Sequence, residues 1–289
     1  MLEKLQFAII LYVCIILKAP LPSSIPAAWR KMNAIIVSDL HIGSQYLQSR
    51  ILKDFLEALP EDHEFILNGD IIDRPYSKMK KSDQRILDRI EQISLGQQVV
   101  WIQGNHDKGF TPAGLGKVKV TRSYSIGNRL LITHGDDFDE IMPRCRAFMK
   151  AFKLIHHLRV KLGAKPVHVA EYAKKWKSFY RVLRKNVALN AFKCAVENGF
   201  EAVACGHTHY PEEMVVDGIR YLNTGAWTEL PAHYLHITAD DIALNRVDPS
   251  YIVDRQKSPL LNQTATVMPF NPVSRDSAET GRSTSEIVS

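Results

Sequence analysis

The stretch Ala34-Ile35-Ile36-Val37-Ser38-Asp39-Leu40-His41 decides the reading of this 289-residue chain. Four apolar, mostly β-branched residues read as a buried strand, and an aspartate and a histidine stand at its end. The same arrangement returns along the chain. The run at 64–67 precedes Gly69-Asp70-Ile71-Ile72-Asp73, the run at 98–102 precedes Gly104-Asn105-His106-Asp107, and the run at 130–133 precedes His134-Gly135-Asp136. A fifth cluster, Gly206-His207-Thr208-His209, completes the order. Taken singly, a Gly-Asp is a turn and a histidine after a strand is an ordinary surface or core residue. Turn chemistry gives no reason for histidine, aspartate or asparagine at the end of one apolar run after another. Side chains at strand ends can converge on one edge of a sheet, and a two-metal site is built in that way.

Between the first clusters the period changes to that of helices. Residues 47–59 carry Ile51, Leu52, Phe55, Leu56 and Leu59 at helical spacing, and a helix begun by Ser82 over 82–93 carries Ile86, Leu87, Ile90 and Ile93 on one face. Strands separated by such helices predict a sheet with crossover connections and a site on its carboxyl edge. The second half is richer in hairpin signals. Runs at 118–126 and 130–133 flank Gly127-Asn128, runs at 214–216 and 219–222 flank Asp217-Gly218, and 234–238 follows as a further strand.

The residue types define the chemistry. Carboxylate and carbonyl oxygen suit Mg and Mn, imidazole suits Zn, Fe and Mn, and the clusters contain no cysteine. Two divalent cations, Mn first and Fe, Zn or Mg as alternatives, are therefore expected. Such a pair, about 3.5 to 4 Å apart, acidifies a shared water and clamps the attacking and leaving oxygens of an in-line displacement. The expected substrate is a phosphate ester or anhydride, with no covalent enzyme intermediate.

The ordered set resembles the calcineurin-like metallophosphoesterases over residues 33–237. The resemblance implies an α/β fold, a four-layer α/β/β/α metallophosphoesterase sandwich with a helical lid insertion. It also implies that Asp39, His41, Asp70 and His209 hold one metal and Asp70, Asn105, His134 and His207 the other, with Asp70 as the bridge. His106 would then be a general acid or charge stabiliser beside the phosphate, and Asp107 a partner for its imidazole. Asp73 would stand behind the ligands, or be a plain turn carboxylate before Arg74-Pro75. More narrowly, His134-Gly135-Asp136-Asp137-Phe138-Asp139, and Cys205-Gly206-His207-Thr208-His209 leading to Tyr221-Leu222-Asn223-Thr224-Gly225-Ala226-Trp227-Thr228-Glu229, are similar to the UDP-2,3-diacylglucosamine pyrophosphatases of lipid A synthesis. That group cleaves a membrane-associated sugar nucleotide to UMP and a lipid monosaccharide phosphate. The best-known members carry arginine after the motif asparagine, where this chain has His106.

A basic insertion separates His134 from His207. Residues 144–187 hold thirteen lysines and arginines against one acid, Glu171, whereas the whole chain is only +6. Phe148, Phe152, Ile155 and Leu158 recur at helical spacing, as do Val169, Tyr172, Trp176, Phe179, Tyr180, Leu183 and Val187. Three readings stand: a solvated face, a lid contacting acyl chains and anionic head groups, and a nucleic-acid groove. The resemblance favours the lid, with Arg144, Lys174, Lys177, Arg181 and Trp176 as substrate contacts and an anionic membrane surface as partner. No protein partner is inferred. A broader phosphodiesterase or nuclease is the alternative activity, and a non-catalytic membrane-associated scaffold a further one.

At 45% hydrophobic and 24% charged the chain can bury one large core. Cys14, Cys145, Cys194 and Cys205 show no paired spacing, which predicts reduced thiols and a cytoplasmic site, and the resemblance implies a peripheral place at the inner face of the membrane. The expected division is an apolar N-terminal extension or weak anchor over 1–31, a catalytic domain over 32–250 with the insertion at about 140–198, and a flexible tail over 251–289. The apolar run at 7–17 is too short for a comfortable span, which needs about 20 residues. Pro26-Ala27-Ala28 is the nearest signal-cleavage candidate.

Overall fold

The computed structural model describes residues 33–110 and 114–247. The extension expected over 1–31 and the tail over 251–289 lie outside the described residues. Within them, two sheets face each other and helices cover both outer faces. The first sheet has the order β11-β10-β1-β2-β3-β4. Its centre is the parallel set β1 (Ala34–Val37), β2 (Glu64–Asn68) and β3 (Val99–Ile102), to which β4 (Lys119–Thr121) adds in parallel. β10 (His233–Ile237) and β11 (Ile242–Arg246) extend it antiparallel beyond β1. The second sheet has the order β5-β6-β7-β9-β8, from β5 (Ser123–Ile126), β6 (Leu130–Thr133), β7 (Ala202–Cys205), β8 (Glu212–Val216) and β9 (Ile219–Asn223).

The alternation of strand side chains builds the layers. From β1, Ala34 and Ile36 face the second sheet, where they join Ile66, Val100, Ile102, Leu130, Ile132, Ala202, Ala204 and Leu222. Ile35 and Val37 point the other way, onto Leu52, Leu56, Ile86 and Ile90 of α1 (Ser49–Glu57) and α2 (Lys81–Gly96). These strands are apolar throughout because both faces are buried, as in parallel sheets generally. Phe65, Ile36 and Leu67 are wholly buried, and each such side chain contributes about 1.5 to 3 kcal/mol relative to exposure. The fourth layer is α6 (Lys177–Glu197), whose Ala188, Ala191, Phe192 and Ala195 pack on Val203, Cys205 and Tyr221. This is the α/β/β/α sandwich expected from the sequence.

Several boundaries differ from the sequence reading. Residues 118–126 do not form one strand of a hairpin: β4 pairs with β3 in the first sheet, and β5 pairs with β6 in the second. The switch occurs at Arg122, whose guanidinium donates to Gln103 O at 3.0 Å and to Asp137 Oδ2 at 2.7 Å and so pins the bend. Ser82 does not cap its helix, which starts at Lys81; the Ser82 hydroxyl donates instead to Asp83. The Asp217-Gly218 hairpin is as expected, with both residues at positive φ between β8 and β9.

The insertion consists of α3 (Ile141–Arg144), α4 (Arg146–Lys161), α5 (Val169–Ala173) and the first turns of α6. The expected apolar stripe from Val169 to Val187 is broken between α5 and α6. On α4, Phe152 is buried and Phe148 lies against the rings of Trp176 and Phe179, whereas Ile155, Leu158 and, just past the helix end, Leu162 face outward, 49%, 49% and 87% exposed. The expected stripe therefore divides into a packed half and an open half. Cys145, Cys194 and Cys205 are free thiols. Among the described residues no helix is long and apolar enough to cross a membrane.

Candidate active site

Each strand that points its carboxyl end toward one edge delivers a cluster there. Asp39 and His41 follow β1, Asp70 follows β2, Asn105 and His106 follow β3, His134 follows β6, and His207 and His209 follow β7. The backbone turns sharply at that edge. Asp39, His41, Asp70, His207 and His209 all have φ between 50° and 61°, a left-handed conformation that is uncommon for residues other than glycine. Strain of that kind costs on the order of 1 kcal/mol or more per residue and persists only where surrounding structure enforces it. Hydrogen bonds do so here: Asp39 N donates to Gly69 O, His41 N to Asp70 O, and Gly206 N to His134 O, tying successive loops together. Two glycines allow the close approach. A Cβ on Gly104 would collide with the Asp70 carboxylate, and one on Gly206 with that of Asp39.

The first half of the cluster is Asp39, His41, Asp70 and His209, all buried, with donor atoms within 4.8 Å of one another. His41 Nε2 lies 3.2 Å from His209 Nε2, which is itself 3.2 Å from Asp39 Oδ1. In the second half, His134 Nε2 is 3.3 Å from Asp70 Oδ2, and His207 Nδ1 is 2.9 Å from Asn105 Oδ1. His134 and His207 approach edge to face, their centroids 5.5 Å apart. Asp70 touches both halves, and its Oδ1 also accepts from His106 N at 2.8 Å. All seven residues expected as ligands thus meet at one edge.

The electrostatics follow from this crowding. Burial raises the Asp39 carboxyl, but His209 and His134 outweigh it and hold the group below the usual carboxylate range. Asp70 is likewise depressed, burial being overcome by His134, His106 and His41. His134 is the counterpart: burial opposes its charge, yet Asp70 and Asp39 push it up to about 10. The donor set fits a borderline divalent cation. Buried imidazole and carboxylate are its preferred ligands, and His41 Nδ1, His134 Nε2 and His209 Nδ1 are buried without a hydrogen-bond partner.

Other expected residues fall in different places. His106 is exposed; its Nδ1 lies 2.9 Å from Asp73 O, leaving Nε2 at the rim 3.9 Å from Asp70 Oδ2. Asp73 stands behind His41, Oδ1 to Nδ1 3.4 Å. Asp107 is not the partner of the His106 imidazole. It is wholly buried beneath the loop, accepting from Ile71 N, Trp101 Nε1 and Gly104 N at 2.9, 3.0 and 2.6 Å. Removing the carboxylate leaves three buried donors unpaired, at about 1 to 3 kcal/mol each. Asp107→Ala is therefore expected to lose about 3 kcal/mol or more in urea unfolding, and Asp107→Asn less; equal stability of the alanine variant and the wild type would contradict this role.

Among the basic residues expected to meet substrate, Lys174 is already engaged. It donates to His209 O at 2.7 Å and pairs with Glu229. Arg144 bridges to Glu140, while Lys177, Arg181 and Trp176 are exposed on the insertion. Two residues without an assigned role in the sequence reading join the site. Asp139 Oδ2 lies 2.9 Å from His207 Nε2, and His168, at the start of α5, stacks on His209 with centroids 5.3 Å apart. Burial pushes the His168 imidazole down to about 3. The Asp139 position was visible in the motif beginning at His134, whereas nothing near His168 marks it. The Asn223-Thr224-Gly225 stretch braces the last loop: Asn223 Nδ2 donates to Gly206 O at 2.6 Å and to Thr208 Oγ1 at 3.1 Å.

The sequence model of the calcineurin-like phosphoesterases matches residues 32–211. The chain belongs to this family. This calcineurin-like phosphoesterase is a metal-dependent phosphoester hydrolase. Solved structures similar to it include YfcE, a phosphoesterase from E. coli, at 14% identity over 75% of this chain and 100% of that one, with a TM-score of 0.39. The Pseudomonas putida nuclease MPE matches at 16% identity over 75% of this phosphoesterase and 88% of its own chain, TM-score 0.38. A novel archaeal phosphodiesterase matches at 14% over 74% and 99%, TM-score 0.41. No curated protein matches the sequence.

Proposed function

We propose that this phosphoesterase hydrolyses the pyrophosphate of a lipid-linked sugar nucleotide, UDP-2,3-diacylglucosamine, to UMP and a lipid monosaccharide phosphate. In this reading Asp39, His41, Asp70 and His209 hold one divalent cation, Mn before Fe, Zn or Mg, and Asp70, Asn105, His134 and His207 hold the other. When bound, such a pair neutralises phosphate charge and acidifies a water. The chain's own groups do the rest. His106 is oriented by its hydrogen bond to Asp73 O, so that Nε2 at the rim, when the ring carries both protons, donates to a phosphate oxygen as charge develops. The loops that carry the ligands fix the reacting phosphate in place, which is where positioning lowers the barrier.

One observation carries the choice of substrate class. A groove of about 910 Å³ runs from Asp73, His106 and His168 outward between Tyr46 and Lys78 on one side and Lys153, His157 and Val160 of α4 on the other. It shares Arg74, Ser77 and Met79 with a smaller cavity of about 370 Å³ lined by Tyr76 and Phe110. The larger groove begins at the rim of the cluster, at Asp73 and His106, and leads away from it, which suits a phosphate substrate that carries a bulky arm. The open apolar patch of Ile155 and Leu158 on α4 and Leu162 just past its end supports an acyl-chain arm and a peripheral place at the inner membrane face. We take residues 32–250 as the catalytic domain and about 140–198 as its lid.

The test is direct: incubate the Mn-loaded protein with UDP-2,3-diacylglucosamine, with a nucleic acid and with an aryl phosphodiester. UMP released from the first, at a kcat/KM at least tenfold above the aryl ester, is the expected result. Turnover of the nucleic acid with no UMP from the sugar nucleotide would favour the nuclease alternative and end this reading.

A further inference from the structure

His207 stands between a carboxylate and an amide oxygen, one at each ring nitrogen. His207 Nε2 lies 2.9 Å from Asp139 Oδ2, and its Nδ1 lies 2.9 Å from Asn105 Oδ1. A carboxylate only accepts, so the proton of a neutral imidazole is on Nε2. Nδ1 then keeps its lone pair on the side of Asn105 Oδ1, where both atoms can turn to one cation.

Asp139 is built to dictate this state. Its side chain is 1% exposed, and that of His207 8%. The other carboxylate oxygen accepts from Ile141 N and Met142 N, 2.9 Å each, at the first turn of α3. The carboxylate is therefore held by the opening turn of the insertion and cannot swing away from the imidazole without unmaking that turn. Hydrogen bonds of this kind to a metal-binding histidine fix both its tautomer and the direction of its free nitrogen.

We propose that Asp139 is a positioning residue: it holds His207 in the tautomer that turns Nδ1 toward the second cation position, and so sets the affinity of that position. The inference rests on the dinuclear reading above. It makes the first turn of the insertion part of the metal centre, so a change in the insertion reaches the second cation and leaves the first alone.

The experiment is an electron paramagnetic resonance titration of free Mn with metal-free protein, for the wild type, Asp139→Asn and Asp139→Ser. Either replacement keeps an acceptor for the α3 turn. The asparagine can offer an N–H to Nε2 and select the opposite tautomer, and the serine is too short to reach it. Wild type is expected to take up two ions. Both variants are expected to bind the first with unchanged affinity and the second 10- to 100-fold more weakly, the range found when such partners are removed, with metal-free melting temperatures within a few degrees of wild type. Unchanged affinity for both ions overturns the proposal, as does parallel weakening of both with a fallen melting temperature, which marks a purely structural role. A wild-type chain that takes up one ion overturns the dinuclear reading and this inference with it, whereas two ions in the wild type and unchanged variants overturn only the inference.

Discussion

Replacing Asp70 by asparagine is expected to lower turnover on the order of 10³-fold while the fold survives. Oδ1 accepts from His106 N, and Oδ2 faces His134 Nε2 at 3.3 Å and His106 Nε2 at 3.9 Å. An asparagine of the same shape keeps the first contact through its amide oxygen, so the loop after β3 stays in register. What it loses is the single negative charge shared by the two halves of the cluster. Asp39 then remains the only carboxylate among the seven expected ligands, and two divalent cations side by side lack the charge between them that offsets their repulsion. The metal-free protein is expected to melt at a lower temperature but to fold, because removing one partner leaves the buried His134 imidazole without the counter-charge it faces at 3.3 Å. Metal content by mass spectrometry, melting temperature without metal, and kcat at saturating Mn separate these effects. Retention of more than a tenth of wild-type kcat by Asp70→Asn would remove Asp70 from the centre of the mechanism.

Much of this was legible in the sequence because it depends on local chemistry. The apolar runs are both-face buried strands, so their composition alone marks them. Glycines 104 and 206 sit where another loop's carboxylate passes, and they fall inside the motifs that name the site. What sequence did not reveal depends on how distant segments meet. Nothing in residues 118–126 says that the chain changes sheets at Arg122, since the reason is a pairing with Gln103 and Asp137. Asp107 looked like a partner for its neighbour because adjacent residues invite that reading, but a β3 tryptophan and two loop amides claim its oxygens. His168 lies far from every cluster in the chain and reaches His209 only because the insertion folds back over the edge. The left-handed backbone at Asp39, His41, Asp70, His207 and His209 was equally hidden: aspartate and histidine tolerate it better than most residues, but only the crossing of loops enforces it.

Metal uptake is expected to release at least one proton per chain at pH 7 and to weaken about tenfold or more for each unit of pH lost, as competition between a cation and a proton requires. His134 is the chief source, and His41, whose imidazole is raised because burial is overcome by Asp73, Asp39 and Asp70, adds to it. Asp70 and Asp39 hold its imidazole charged up to about pH 10 against the cost of burial, so at neutrality the metal-free protein balances its carboxylates with a proton on this ring. The nitrogen that carries it can be named. Nδ1 lies 3.0 Å from Asn68 O and donates there, so the proton a cation displaces is the one on Nε2, facing Asp70. The sign for the fold itself follows from the same pair. Because the folded His134 titrates above its unfolded value, its contribution is complete below about 6.5 and is lost as pH rises toward 10. Asp70 is depressed, so its contribution is complete above about 3.8 and is lost as pH falls below that. The two shifts describe one interaction and are counted once. Metal-free protein should thus be most stable in mildly acidic solution, and metal-loaded protein at higher pH, where no proton competes. Calorimetric titration of Mn in two buffers of different ionisation enthalpy reads the released proton directly, and melting curves from pH 4 to 9 with and without metal read the crossing. A binding enthalpy independent of buffer at pH 7 would mean that His134 is already neutral, and that the carboxylates draw their balance from elsewhere.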